Sequence, residues 1–261
     1  MPGDLDDGPA MAAGARGADV AFHSAAKLGD WGPWDEFRRV NVAGTQKVIG
    51  ACRAAGVGRL VHVGTEAALL RGQPLVAADE RTPLAFDSPA PYAATKAHAE
   101  AAVIEANGGG LETVVVRPRF VWGAGDTTLL PALSAMVRAG RFRWIGGGRQ
   151  LTSTTHVDST VEGLVLAAER GRPGNAYFVT DGSPVVFREF VTALLGTQAS
   201  RRPRGRSRCP PRAPSPAPGR PCGARSRSAA PRHSPASRSG SRRWSARSTT
   251  PRPASSSATS R

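Results

Sequence analysis

Residues 59–65 read Arg59-Leu60-Val61-His62-Val63-Gly64-Thr65. The run RLVHV is short and aliphatic, and it lacks the apolar–polar alternation of a half-solvated strand. It predicts a strand buried on both faces, the signature of a parallel sheet covered by helices. Upstream, Phe37, Val40, Val48, Ile49 and Cys52 form one stripe of a helix from about Asp35 to Ala55, with Gly56 as its stop. Further upstream, Asp19–Ala26 (DVAFHSAA) predicts the first strand. Downstream, residues 66–91 read as loop, Tyr92–Ala106 as an alanine-rich helix closed by Asn107 and three glycines, and Glu112–Arg117 (ETVVVR) as a third strand. Leu129, Leu133, Met136 and Val137 mark a helix ending at Gly140. Val161, Leu164, Val165 and Ala168 mark one with Asp158 or Ser159 as its cap. A strand at Ala176–Thr180 and a helix at Phe187–Leu195 complete a βα alternation, which predicts an α/β fold.

The net charge of +15 would suit a nucleic-acid binder, but its placement argues otherwise. After Gln198 stand 16 arginines and no acid, and without them the 20 acids face 19 bases. That same stretch has no Val, Ile, Leu, Met, Phe or Tyr, so it cannot offset its ordering entropy by burial. Residues 1–198 are therefore the expected folded domain and 199–261 a disordered tail. Two origins fit the tail: an arginine-rich arm that binds acidic partners, or the product of a shifted reading frame. The frameshift is favoured, because acids and large aliphatics vanish together at a helix end.

Cys52, Cys209 and Cys222 form neither a disulfide framework nor a CxxC pair, and no His/Cys/Asp/Glu cluster has metal-ligand spacing. The start MPGDLDDGPAMAAGARGADV lacks the basic residues and apolar core of a signal peptide, and no run has membrane-spanning length. A cytoplasmic protein with no membrane partner is expected.

The chemistry-bearing run is Tyr92-Ala93-Ala94-Thr95-Lys96. A free phenol has a pKa of about 10 and is a poor base near neutrality. A lysine four residues on shares the phenol's helix face, and its ammonium would favour the phenolate. Thr65 follows the RLVHVG strand, at the carboxyl end of the sheet where open α/β folds bind ligands. Strand, Thr, loop and Tyr-x-x-x-Lys helix, in this order, point to proton exchange with a substrate hydroxyl or carbonyl. His23 and His62 lie inside strands and read as core histidines or as ones that support the site from behind, rather than as ligands; His156, at a helix start, reads as a cap or packing residue. Trp31 and Trp34 either wall a substrate or cover the core.

With these residues in place, the body resembles the extended short-chain dehydrogenases/reductases, the NAD-dependent epimerase/dehydratase superfamily, and within it the 3β-hydroxysteroid dehydrogenase-like branch. The match is carried in order by Gly3-Asp4-Leu5, the strand ending His23-Ser24-Ala25-Ala26, Asn41-Val42-Ala43-Gly44-Thr45, Thr65, YAATK, Arg117-Pro118-Arg119-Phe120-Val121-Trp122-Gly123-Ala124-Gly125-Asp126 and Thr155-His156-Val157-Asp158. The resemblance implies a Rossmann-type sheet with part of the small substrate domain. It also implies NAD or NADP as cofactor, and hydride transfer between nicotinamide and a secondary alcohol or ketone, expected on an apolar ring. Tyr92 would be the acid/base, Lys96 would lower its pKa and hold the nicotinamide ribose, and Thr65 would orient the substrate oxygen. Asp4 and Leu5 would contact adenine, Ala25 and Ala26 would line the cofactor path, Asn41 would stand near the active site and Pro118 would meet the nicotinamide. A homodimer through the Tyr92 helix is the implied assembly.

Of two departures from the family pattern, the change at Lys47 carries little weight and the missing glycine-rich turn matters. The family shows Asn where Lys47 stands. No Gly-x-Gly-x-x-Gly run joins a strand to a helix, as though the first two βα units preceding GDL were absent, so an incomplete sheet and weak or no nucleotide binding are expected. A nucleotide-sugar epimerase or dehydratase is the alternative activity, since it uses the same Thr/Tyr/Lys set. The further alternative is a non-catalytic protein that binds nucleic acid through its tail.

Overall fold

The computed structural model describes residues 4–29 and 31–199; the expectations for residues 200–261 lie outside them. Four parallel strands form the main sheet in the order β1-β2-β3-β7: β1 is Val20–His23, β2 Arg59–Val63, β3 Glu112–Pro118 and β7 Asn175–Val179. Among the described residues β1 is an edge strand, with β2 its one partner.

Alternation along β2 and β3 sorts side chains into two layers. Leu60 and Val115 pack with Ile49 and Cys52 of α3 (Gly44–Ala55) and Val103 of α4 (Pro91–Glu105). Val61, Val114 and Val116 pack with Ala167 and Leu164 of α6 (Val157–Arg170) on the opposite face. The central strands are thus covered on both sides, as the composition of β2 predicted. A separate apolar cluster joins Leu133 of α5 (Leu129–Arg138) to Val191 and Leu194 of α7 (Phe187–Ala199), with Trp122 and Trp144 against it. Short strands β4 (Val121–Trp122), β5 (Leu151–Thr152), β6 (Thr155–His156) and β8 (Val185–Val186) pair as β4 with β6 and β5 with β8. No helix among the described residues is long and apolar enough to cross a membrane.

Several boundaries differ from the sequence reading. The first strand ends at His23, and residues 24–29 are coil. A helix absent from that reading, α1 (Gly8–Ala15), starts at Asp7, whose side chain accepts from the Ala10 amide at 2.9 Å. The expected Asp35–Ala55 helix runs from α2 (Trp34–Phe37) through a π-helical stretch, Arg38–Ala43, into α3, and Gly56 ends it with φ of 71°. The cap of α6 is His156, whose ring accepts from the Asp158 amide at 3.2 Å; Asp158 and Ser159 lie within the first turn. Trp31 is 86% exposed and Trp34 44%, so neither covers the core.

Candidate active site

Parallel register brings the functional positions to one edge of the sheet. His23 pairs with His62 and Val63 with Val116, so β1, β2 and β3 all deliver their next residues at their carboxyl ends. Ala25 and Ala26 follow β1, Thr65 follows β2, and buried Pro118 closes β3. Gly64 is required between His62 and Thr65: a Cβ there would lie 2.8 Å from Val115 Cγ1 and 3.1 Å from Glu100 Oε2.

Helix α4 lays Tyr92, Lys96 and Glu100 along one stripe at intervals of four residues. Pro91 at its first turn costs no hydrogen bond, since that amide would be unpaired in any case. Thr65 caps the short 3₁₀ turn Glu66–Leu69, accepting from the Ala67 amide at 3.2 Å, and its hydroxyl also interacts with the Tyr92 phenol. Lys96 is almost wholly buried; its Nζ donates to the Val63 carbonyl at 2.8 Å and meets His62 Nε2 at 3.1 Å.

The electrostatics depart from the expected lysine-lowered phenol. Burial raises the Tyr92 pKa above the ordinary 10, and the Thr65 hydroxyl only partly opposes it. Meanwhile the Lys96 ammonium spends two donors on β2, and burial brings its pKa down to about 8 against the pull of Glu100. Tyr92 therefore holds its proton at neutral pH while Lys96 remains charged.

Behind this set lies a buried ion pair that the sequence did not announce. Arg117 on β3 donates through Nε to Glu100 Oε1 at 2.9 Å, and its Nη2 bonds the same oxygen. Arg119, just past β3, pairs with Glu66 and donates from Nε to Thr152 Oγ1 at 2.8 Å, tying the residue after Thr65 to β5.

Asn41 lies in the π-helical stretch, where its amide is fully occupied. Its Oδ1 accepts from the Lys27 amide at 2.7 Å, and its Nδ2 donates to the Lys27 carbonyl and to Thr95 Oγ1, each at 3.1 Å. It thereby fastens the loop after β1 to the Tyr92 helix. Asp4 and Leu5 precede α1, and Leu5 packs against Gly44, where a Cβ would lie 3.0 Å from Leu5 Cδ1. Lys47 pairs with Asp6 at 2.6 Å, which gives the lysine at that position a local partner. His62 and His23 are both buried, and of the two expected roles, core packing or support of the site, His62 has a contact of the second kind, with Lys96. Its place three residues before Thr65 on a buried strand was the available signal.

A family model, the 3-beta hydroxysteroid dehydrogenase/isomerase family, matches residues 1–206. Among curated proteins, the 4-hydroxy-2-methyl-3-oxo-4-farnesyl-3,4-dihydroquinoline-1-oxide ketoreductase of Stigmatella aurantiaca is 52% identical over 196 residues, covering 75% of this chain and 59% of the relative. The 2-alkyl-3-oxoalkanoate reductase of Stenotrophomonas maltophilia is 43% identical over 208 residues, covering 77% and 63%. The chain thus spans about three-fifths of the length of these relatives. Among solved structures, the dTDP-glucose 4,6-dehydratase of Streptomyces venezuelae with NAD bound superposes with a TM-score of 0.65 at 27% identity, covering 76% of this chain and 62% of that one.

Proposed function

The chain belongs to the 3-beta hydroxysteroid dehydrogenase/isomerase family, and from that premise we propose that it carries the proton-transfer half of an NAD(P)-dependent ketone reductase, with Tyr92 as acid, Thr65 as the orienting hydroxyl and Lys96 as the charge behind them. The observation that carries this reading is a protonated, half-buried Tyr92 beside the Thr65 hydroxyl and one helical turn from a buried, charged Lys96.

The chemistry follows from these groups. A carbonyl oxygen bound between the two hydroxyls accepts a hydrogen bond from each. As the carbonyl carbon is reduced, its oxygen becomes basic and takes the Tyr92 proton, which leaves a phenolate. Lys96 stabilises that phenolate by its charge. The phenol is protonated at neutral pH, the form from which a ketone oxygen can take its proton.

A bound reduced nicotinamide supplies the two electrons and the hydrogen that reach the carbonyl carbon. Lys96 fits its ribose, since the third ammonium donor has no partner among the described residues. Ala25, Ala26 and Pro118 would flank it at the strand ends, with Asn41 holding the loop after β1. Asp4 and Leu5 remain the proposed adenine contacts. Among residues 1–261 no Gly-x-Gly-x-x-Gly turn of the kind that meets a pyrophosphate occurs.

The substrate class proposed is an apolar 3-oxo compound, supported by the names of the two relatives, both of which act on 3-oxo groups. The test is reduction of a 2-alkyl-3-oxo acid and a 3-oxosteroid with millimolar NADH or NADPH, with the alcohol product quantified. Reduction of either supports the reading. Turnover of a UDP-sugar with neither ketone reduced would replace it with the epimerase alternative.

A further inference from the structure

Lys96 is held from the sheet by two groups of the strand that leads to Thr65: the Val63 carbonyl at 2.8 Å and His62 Nε2 at 3.1 Å. An ammonium has three donors and no acceptor. Contact with charged Lys96 therefore requires His62 Nε2 to be the unprotonated nitrogen, and the ring's proton sits on Nδ1. That Nδ1 is buried and has no hydrogen-bond partner among the described residues. A buried N–H without an acceptor is unfavourable, so nothing around Nδ1 selects this tautomer, and Lys96 imposes it.

The neighbouring histidine does not share the role. His23 lies with its ring centroid 5.0 Å from that of His62 and faces Thr45 Oγ1 through Nε2 at 3.0 Å. The Thr45 hydroxyl already donates to the Asn41 carbonyl at 2.7 Å, so His23 Nε2 must be the donor in that contact.

We propose that His62 is a positioning residue for the proton-transfer site. By accepting one Lys96 N–H through Nε2, beside the Val63 carbonyl, it fixes the ammonium at the carboxyl end of β2 and leaves one N–H for the reacting groups. This inference rests on the reading that Lys96 serves Tyr92.

The charged and titratable groups around Lys96 are few. Tyr92 and Glu100 flank it on α4, His62 faces it from β2, and His23 lies behind His62 on β1. Arg117 on β3 is already spent on Glu100. Lys96 loses its proton near pH 8. Above that, the neutral amine can accept a hydrogen bond, and the favoured arrangement reverses: the ring hydrogen resides on Nε2 and donates to Nζ. Across the change one proton is lost to solvent, and His62 stays neutral throughout.

The test uses the full chain with ¹⁵N-labelled histidine and ¹³C-labelled lysine. Assignment is tractable because the sequence has only Lys27, Lys47 and Lys96. Long-range ¹H–¹⁵N spectra should show His62 as the Nδ1–H tautomer at pH 7, converting to Nε2–H in step with the Lys96 titration. His62 found as Nε2–H at pH 7 overturns the proposal. In His62→Leu the Lys96 midpoint should fall by about one pH unit, because the charged form loses an acceptor. In His62→Gln, whose carbonyl can take the place of Nε2, the midpoint should return to the unsubstituted value. An unchanged midpoint in His62→Leu overturns the proposal; should that variant fail to fold, the tautomer in the unsubstituted chain decides. Neither readout needs nicotinamide or turnover. A chain with the predicted tautomer that reduces no ketone would refute the function proposed above and, with it, the positioning role of His62, while leaving the His62–Lys96 contact itself established. A reductase with the opposite tautomer would overturn this inference and leave that function standing.

Discussion

Removing the cation from the buried Glu100–Arg117 pair should be the most damaging single charge change in this fold. Glu100 is 0% exposed and Arg117 2%; Arg117 Nε and Nη2 converge on Glu100 Oε1, while Nη1 donates to the Glu80 carbonyl at 3.4 Å. Glu100 Oε2 has no partner among the described residues, so the carboxylate depends on this one contact. Arg117→Met would leave a buried carboxylate uncompensated, at a cost of about 3–5 kcal/mol. With a urea m-value of about 2 kcal/mol per molar, the unfolding midpoint should fall by about 2 M. Replacing both groups, Glu100→Leu with Arg117→Met, removes the orphaned charge and should cost far less than the two single changes together. The assay is urea unfolding of all four members of the cycle. Near-additive effects, or a loss below about 1 kcal/mol for Arg117→Met, would refute the claim that the pair is compensated in isolation from water.

Other perturbations probe different layers. Burial lowers the His23 pKa from 6.5 to about 4. Between those values the unfolded chain binds the extra proton, so stability should be intact above pH 6.5 and fall as pH drops to about 4. The loss is about 3 kcal/mol from this residue alone, and His62, lowered by the same cause, adds to it. Flat stability from pH 6.5 to 4 in thermal or urea unfolding would contradict it. Gly64→Ala drives a Cβ to within 2.8 Å of Val115 Cγ1, for a cost of about 1–3 kcal/mol and a displaced Thr65; wild-type stability and ketone reduction would contradict this. Asp181 accepts from Trp122 Nε1, Thr154 Oγ1, Ser159 Oγ and the His156 amide at 2.7–3.0 Å. Asp181→Ala should speed hydrogen exchange around β6 and the start of α6 while β2 and β3 stay protected, and unchanged exchange at His156 would argue against it.

What was legible in the sequence was what composition and period encode. Strands β2 and β3 are rich in Val and Leu without an apolar–polar alternation, and α4 has Pro91 at its start and glycines beyond its end. The tyrosine, lysine and threonine were found because a helix repeat and a strand end fix them locally. The π-helical stretch was not legible, since no residue type marks it; the Asn41 amide bonded across to Lys27 and Thr95 accompanies it, and those contacts are tertiary. Strands of two residues carry no period. Helix α1 buries none of its residues and so shows no stripe, although Asp7 and Pro9 were available as start signals. The raised Tyr92 pKa and the grip of His62 on Lys96 depend on depth and on a neighbouring strand, which one-dimensional spacing does not contain.

The central claim is that Tyr92 gives its proton to a ketone oxygen. The measurement is the rate of NADH- or NADPH-linked reduction of a 2-alkyl-3-oxo acid by the chain and by Tyr92→Phe, with unfolding curves to establish that both are folded. Loss of the phenolic proton should lower the rate at least about 100-fold, the usual worth of a positioned acid, with stability nearly unchanged. A folded Tyr92→Phe that reduces the ketone as fast as the unsubstituted chain would contradict the account.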